Sequence, residues 1–176
     1  YMTPLLADLL LVKDFIPKLN GGYMYSISVR DSAANVAEHA DELKDLTGIR
    51  ITLADTAENL ALYQADLVGL GSKISGLQFT GSQGSYPGPS VADVISIKDL
   101  LAELPFINFS IYDTAAHVAE YADVLGDMAG IHITLVDTKE NLATYQADLV
   151  GLGSKISGIQ FTGSQGSYPG PSVADV

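Results

Sequence analysis

Four aspartates, Asp31, Asp55, Asp113 and Asp137, each close an apolar stretch and are each followed by Ser or Thr. A row of carboxylates along one rim is chemistry that suits calcium, a cation bound through oxygen. The competing use is structural, because Asp, Ser or Thr ahead of a helix accepts hydrogen bonds from its first-turn amides. Asp55 with Glu58, and Asp137 with Glu140, also fit a capping box, as does Ser90 with Asp93. Capping by the aspartates is therefore the expectation. Calcium is the secondary one, since neither a nonapeptide β-roll repeat nor an EF-hand loop is present. Asn35, Asn59 and Asn141 stand four residues beyond three of these aspartates, and His117 takes that place beyond the fourth. They are expected to hydrogen-bond neighbouring loop backbone.

Other chemistry fares worse. His39, His117 and His132 take different places within the repeat described below, so they form neither a metal cluster nor a shared base. No Ser-His-Asp or paired-carboxylate pattern recurs. "GLGSK" at 69–73 and 151–155 superficially suggests a phosphate loop, but it ends a helix instead of opening one. With no cysteine, thiol nucleophiles, thiolate metal sites and disulfides are excluded. A net charge of -12 opposes binding to nucleic acid or an anionic membrane. The apolar "LLADLLLV" at 5–12 is too short to cross a bilayer and reads as a core helix. No catalytic residue, no resident metal and no cofactor is assigned, and the chain is expected not to be an enzyme.

What positions these residues is repetition. Residues 64–94 recur at 146–176 with one change, Leu77 to Ile159, and 51–64 matches 133–146 at the same offset of 82. Upstream, "PLLADLLLVKDF" (4–15) falls on "PSVADVISIKDL" (89–100) at an offset of 85. Within each large unit, 29–48 lies on 53–72. Periods of this size mark stacked supersecondary modules.

Inside a module the periodicity changes. Ile49, Ile51 and Leu53 alternate with Arg50, Thr52 and Ala54, which predicts a strand with one apolar face. Ala57, Leu60, Ala61, Leu67 and Val68 then form one helical stripe. Gln64 and Gln146 fall on that stripe and are expected as buried amides. Gly48, Gly71, Gly130, Gly153 and Pro105 sit where helices should stop. Connections of this length make parallel strands with right-handed crossovers.

The fold class predicted is α/β: a right-handed solenoid of repeated strand-helix coils, with one parallel sheet and a single helical layer. Residues 1–176 form one solenoid domain with large repeats at about 4–88 and 89–176, each of three coils, cut from a longer array. Polar residues interrupt the strands, which predicts an uncovered sheet face on the concave side. Its rungs are expected to read Ser28, Thr52, Gln78 and then Ser110, Thr134, Gln160, the candidate ligand-binding rows. The "GSQGSYPGP" loops add Tyr86 and Tyr168, which serve equally as exposed contacts or as parts of a turn.

The segments "SVRDSAANVAEHADEL", "IYDTAAHVAEYADVL" and "ITLADTAENLALYQADL" resemble the "VSDTAANVA" modules found in tandem in very large bacterial secreted and surface proteins of the adhesin type. The resemblance implies an extracellular or cell-surface, array-forming, non-enzymatic segment for adhesion, matrix or filament building. Its partners would be neighbouring repeats or copies of itself end to end. A glycan- or surface-binding module using the open sheet face is the alternative, and a polysaccharide-active solenoid enzyme a minor one.

Overall fold

The computed structural model describes residues 5–16, 26–81, 88–104 and 107–163. The chain is mixed α/β and divides into two compact units, residues 1–83 with 96–107 and residues 84–95 with 108–176. Each holds a parallel three-stranded sheet. In the first the order is β1 (Ile27–Asp31), β2 (Ile49–Asp55), β3 (Ile74–Phe79); in the second it is β4 (Phe109–Asp113), β5 (Ile131–Asp137), β6 (Ile156–Phe161). The sequence suggests one continuous sheet, but the described strands make two. Pro89 meets the edge of β4, where its carbonyl accepts from Tyr112 N at 3.2 Å, and proline has no N–H with which to extend a ladder.

Alternation builds the strands as expected. Val29, Ile51 and Leu53 are fully buried in the first unit, as are Ile111 and Ile133 in the second. The even-numbered neighbours are exposed or half-buried. Helices accompany the strands in register with the repeat: α1 (Leu6–Leu11), α2 (Ala33–Glu38), α3 (Ala40–Asp45) and α4 (Ala57–Val68) in the first unit, then α5 (Val91–Ser96), which lies in the second but for its last residue, and α6 (Lys98–Ala102), which belongs to the first. The second unit adds α7 (Ala115–Glu120), α8 (Ala122–Asp127) and α9 (Lys139–Leu149).

A module expected to carry one helix carries two short ones. Val12, His39, Ile97 and Tyr121 break the helical segments with nearly the same backbone, φ near -110° and ψ of 9° to 21°. Val12 and Ile97, like His39 and Tyr121, occupy equivalent repeat positions, so the break belongs to the module. Ala33, Val36, Ala40 and Leu43 stay on one buried stripe through it. The glycine stops are real: Gly48 (φ 73°) and Gly130 (φ 72°) occupy the left-handed region. Their carbonyls accept from Ile27 N at 2.8 Å and Phe109 N at 3.0 Å, tying each turn to the neighbouring strand.

Candidate functional site

The sheet faces and the module joints are where the predicted residues gather. On the outward face the register corrects the expected rungs. Ser28 stands beside Arg50, Thr52 stands between Arg30 and Gly76, and Gln78 is opposite Ala54. In the second unit Ser110 stands beside His132, Thr134 between Tyr112 and Gly158, and Gln160 opposite Val136. Thus Ser28, Thr52 and Gln78 share a face but not a rung, and the same holds for Ser110, Thr134 and Gln160. Each strand pairs short of the repeat offset, Ser28 with Arg50 and Ser110 with His132 by an unbroken ladder, and between β2 and β3, as between β5 and β6, the pairing also shifts register after Ile51 and after Ile133. There β3 and β6 take an extra residue, and Ser75 and Ser157 turn their hydroxyls onto the Ile51 and Ile133 carbonyls at 3.4 and 3.2 Å. Thr52 and Thr134 are half-buried, whereas Ser28, Gln78, Ser110 and Gln160 are exposed. Tyr86 and Tyr168 lie outside the described residues.

The faces of the two units differ in charge. The first carries exposed Arg30 and Arg50, where the second carries Tyr112 and His132. A glycine beside each threonine keeps its flank open. A Cβ built on Gly76 would stand 3.0 Å from Thr52 Oγ1, and one on Gly158 would stand 3.3 Å from Thr134 Oγ1.

At the module joints the aspartates do something other than the expected capping. Ser32, Thr56, Thr114 and Thr138 are the N-caps, accepting from the amides of Asn35, Asn59, His117 and Asn141. The aspartate, one residue earlier at the strand end, reaches two ways. Its Oδ1 accepts from the amide of the following Ser or Thr and from the side chain four residues on. Its Oδ2 accepts from the first-turn amide of a helix in the preceding module: Leu6 to Asp31, Ala33 to Asp55, Val91 to Asp113 and Ala115 to Asp137, at 2.9 to 3.0 Å. One carboxylate therefore orients its own helix start and brackets it to the helix before. Asn35, Asn59, Asn141 and His117 hydrogen-bond these carboxylates, not loop backbone as expected.

Burial pushes the Asp137 carboxyl upward, but the hydrogen bonds from Asn141, Thr138 and Ala115 outweigh it. The group is held below the usual carboxylate range. Each bracket's oxygens face N–H donors, and among the described residues no group of three or more His, Cys, Asp or Glu side chains could hold a metal ion.

The sequence reading missed a second joint. Lys73 and Lys155, the last residues of the "GLGSK" stretches, hydrogen-bond through Nζ to the carbonyls of Leu46 and Met128. Those carbonyls are at the C-caps of α3 and α8, and a lysine on an orphan C-terminal carbonyl also favours the helix dipole. The legible signal was a lysine kept in both copies at the same distance from the preceding helix. On the exposed surface, Lys13 and Glu42 also pair between modules, and that hydrogen bond raises the lysine and lowers the glutamate. Gln64 is half-buried with an unpartnered Oε1, whereas Gln146, its repeat counterpart, is exposed.

Finally, the second unit contains an apolar groove of about 470 Å³ between α9, β6 and the 3-10 turn Val150–Lys155, with Leu142, Ile156, Ile159 and Phe161 in its walls. No protein family, curated protein or solved structure matches the chain.

Proposed function

We propose that the chain is a non-enzymatic structural repeat segment of a bacterial extracellular or cell-surface protein, a right-handed solenoid that serves adhesion, matrix or filament building. The observation that carries this reading is the aspartate bracket, made four times at equivalent positions, each time joining one strand-helix module to the one before. A carboxylate engaged by three N–H donors at every joint is a device for adding modules in series, with no vacancy for substrate. The repeated parallel pairings and the repeated helix break belong to the same pattern. Placement outside the cell and the bacterial source rest on the resemblance to tandem adhesin-type modules.

The test is length. In a solenoid each added 82-residue repeat contributes three strands, about 15 Å on the sheet side at ~4.8 Å per strand. On the helical side the increment is up to about 30 Å at ~8–10 Å per helix. Small-angle scattering of proteins carrying two, four and six repeats should show a maximum dimension rising linearly by an amount in this range. Growth as the cube root of mass, or separate globules on a flexible string, refutes the reading.

A second reading has its own observation: the polar sheet face, with exposed Ser28, Arg30, Arg50 and Gln78 around a half-buried Thr52. Such a surface suits a glycan or another hydroxyl-rich, acidic ligand. Glycan-array binding that disappears in Thr52→Ala and Gln78→Ala variants, with Thr134→Ala as the test in the second unit, supports it. An array that stays blank removes it.

A further inference from the structure

Arg30 and Arg50 are the only arginines in the 176-residue chain, and both fall on the outward face of the first sheet. The pairing of Arg30 with Thr52 and of Ser28 with Arg50 sets them one diagonal step apart on adjacent strands. With strands ~4.8 Å apart and a rise of ~3.3 Å per residue, their Cα atoms stand about 8 Å from each other. Both side chains are exposed, and two like charges on neighbouring strands do nothing for the sheet.

Other cations of the chain are engaged internally. Lys13 and Lys44 sit on Glu42 and Asp41, and Lys73 and Lys155 on backbone carbonyls. Among the described residues no ion pair joins either arginine to a carboxylate. The nearest aspartates in sequence, Asp31 and Asp55, end their strands on the opposite face and are taken up by N–H donors. Around the arginines stand Ser28, Thr52 and Gln78, and Gly76 leaves the Thr52 hydroxyl an open flank. The second sheet repeats this frame as Ser110, Thr134, Gln160 and Gly158, with Tyr112 and His132 in place of the two arginines.

We propose that the outward face of the first sheet binds a uronate-bearing polysaccharide, with Arg30 and Arg50 each donating a two-pronged pair of hydrogen bonds to a sugar carboxylate. The inference rests on the sheet-face reading above and adds its ligand class and the two residues that select it. A guanidinium fork matches a carboxylate in plane and spacing. The hydroxyl and amide groups of Ser28, Thr52 and Gln78 are partners for the sugar hydroxyls between the carboxylates. An acidic peptide fits less well, because β2 is paired on both sides and cannot take a peptide as an added strand. The net charge of -12 does not forbid the contact. Fields fade over ~8 Å at physiological salt, and one charge per sugar is a lower density than one per ~1.7 Å along duplex DNA.

The test titrates the full chain, followed by the NMR shifts of its amides, with hexamers of 1,4-linked galacturonate and of 1,4-linked mannuronate. At least one hexamer should move amides of β1, β2 and β3 and leave those of β4, β5 and β6 in place. Arg30→Gln and Arg50→Gln should each weaken binding about 10-fold, the worth of one charge-assisted contact. Lys98→Gln removes an exposed positive charge from α6 and should change nothing. The double variant Arg30→Lys with Arg50→Lys keeps the charge without the fork and should bind less tightly than the wild type. The methyl ester of the same hexamer, which has the sugars without the charge, and hexaglutamate, which has the charge without the sugars, should both bind at least 10-fold more weakly.

Binding of neither hexamer overturns the proposal, as does full affinity in either glutamine variant or in the lysine double variant. Hexaglutamate binding as well as the uronate makes the face a site for acidic peptides and overturns the glycan assignment. Equal binding of the methyl ester removes the arginines from the contact. The outcomes separate this proposal from the reading beneath it: a neutral glycan captured on the array, with no uronate bound, leaves the sheet-face reading standing alone, and a blank array together with silent titrations removes both.

Discussion

Replacing Asp55 with Asn changes no volume and one charge, so it isolates the bracket. The Asp55 carboxylate is 7% exposed and takes three donors: Ala33 N at 3.0 Å from the preceding module, Thr56 N at 2.9 Å, and Asn59 Nδ2 at 2.7 Å. An asparagine has one oxygen. If that oxygen keeps Thr56 and Asn59, its NH2 group faces the Ala33 N–H, and a buried donor goes unsatisfied at about 1–3 kcal/mol. The two remaining bonds lose their charge assistance, which adds about 1 kcal/mol. The expected loss is about 2–4 kcal/mol, a shift of roughly 1–2 M in urea midpoint at a typical slope for a small protein. Native-state hydrogen exchange should show the Ala33 amide losing protection first. Asp66→Asn, at an exposed position on α4, is the control and should cost no more than about 0.5 kcal/mol. If Asp55→Asn matches the control, the aspartates do not join the modules and the reasoning fails.

Thr138→Ala removes an N-cap that accepts from Asn141 N at 3.2 Å and leaves the bracket intact, so chemical denaturation should register about 1 kcal/mol, less than the loss from Asp55→Asn. Acid should weaken the second unit: the Asp137 carboxyl is depressed by folding, so its contribution is complete above the unfolded value near 4 and is lost as pH falls below it. Melting temperature measured from pH 6 to pH 2.5 should fall in that window, and an Asp137→Asn variant should fall less. Gly88→Ala places a methyl 2.5 Å from the Ser110 carbonyl oxygen and 2.9 Å from Tyr112, so calorimetry should show a loss of about 1–3 kcal/mol. Gly126→Ala, with nothing within 4 Å and a position inside α8, should instead gain about 0.5–1 kcal/mol.

Periodicity was the legible part of this chain. The alternation at Ile49, Ile51 and Leu53 and the stripe through Leu60 and Leu67 led directly to β2 and α4, and Gly48 and Gly130 marked turns whose φ only glycine adopts readily. The rungs of the sheet were not legible. Repeat offsets count residues, not pairings, and the strands pair short of those offsets even where the ladder is unbroken. The aspartates were recognised at the strand ends but read as caps of their own helices. Capping residues were sought within one module, and the Ser or Thr one position later does that work. A carboxylate that bridges two modules leaves the same local pattern, and the signal that separates them is only that each module needs a Ser or Thr as well. The helix break at His39 and Tyr121 has no proline or glycine to announce it.

Consider the distances along the chain that the joints span. Ala33 to Asp55 is 22 residues, Leu6 to Asp31 is 25, and Lys73 to Leu46 is 27. Within each three-stranded sheet the strands also pair in chain order. A polypeptide leaving the ribosome thus meets the partner of each module within the next few dozen residues, and waits for no distant end before closing. Synthesis and assembly can keep pace with one another, one strand-helix module at a time.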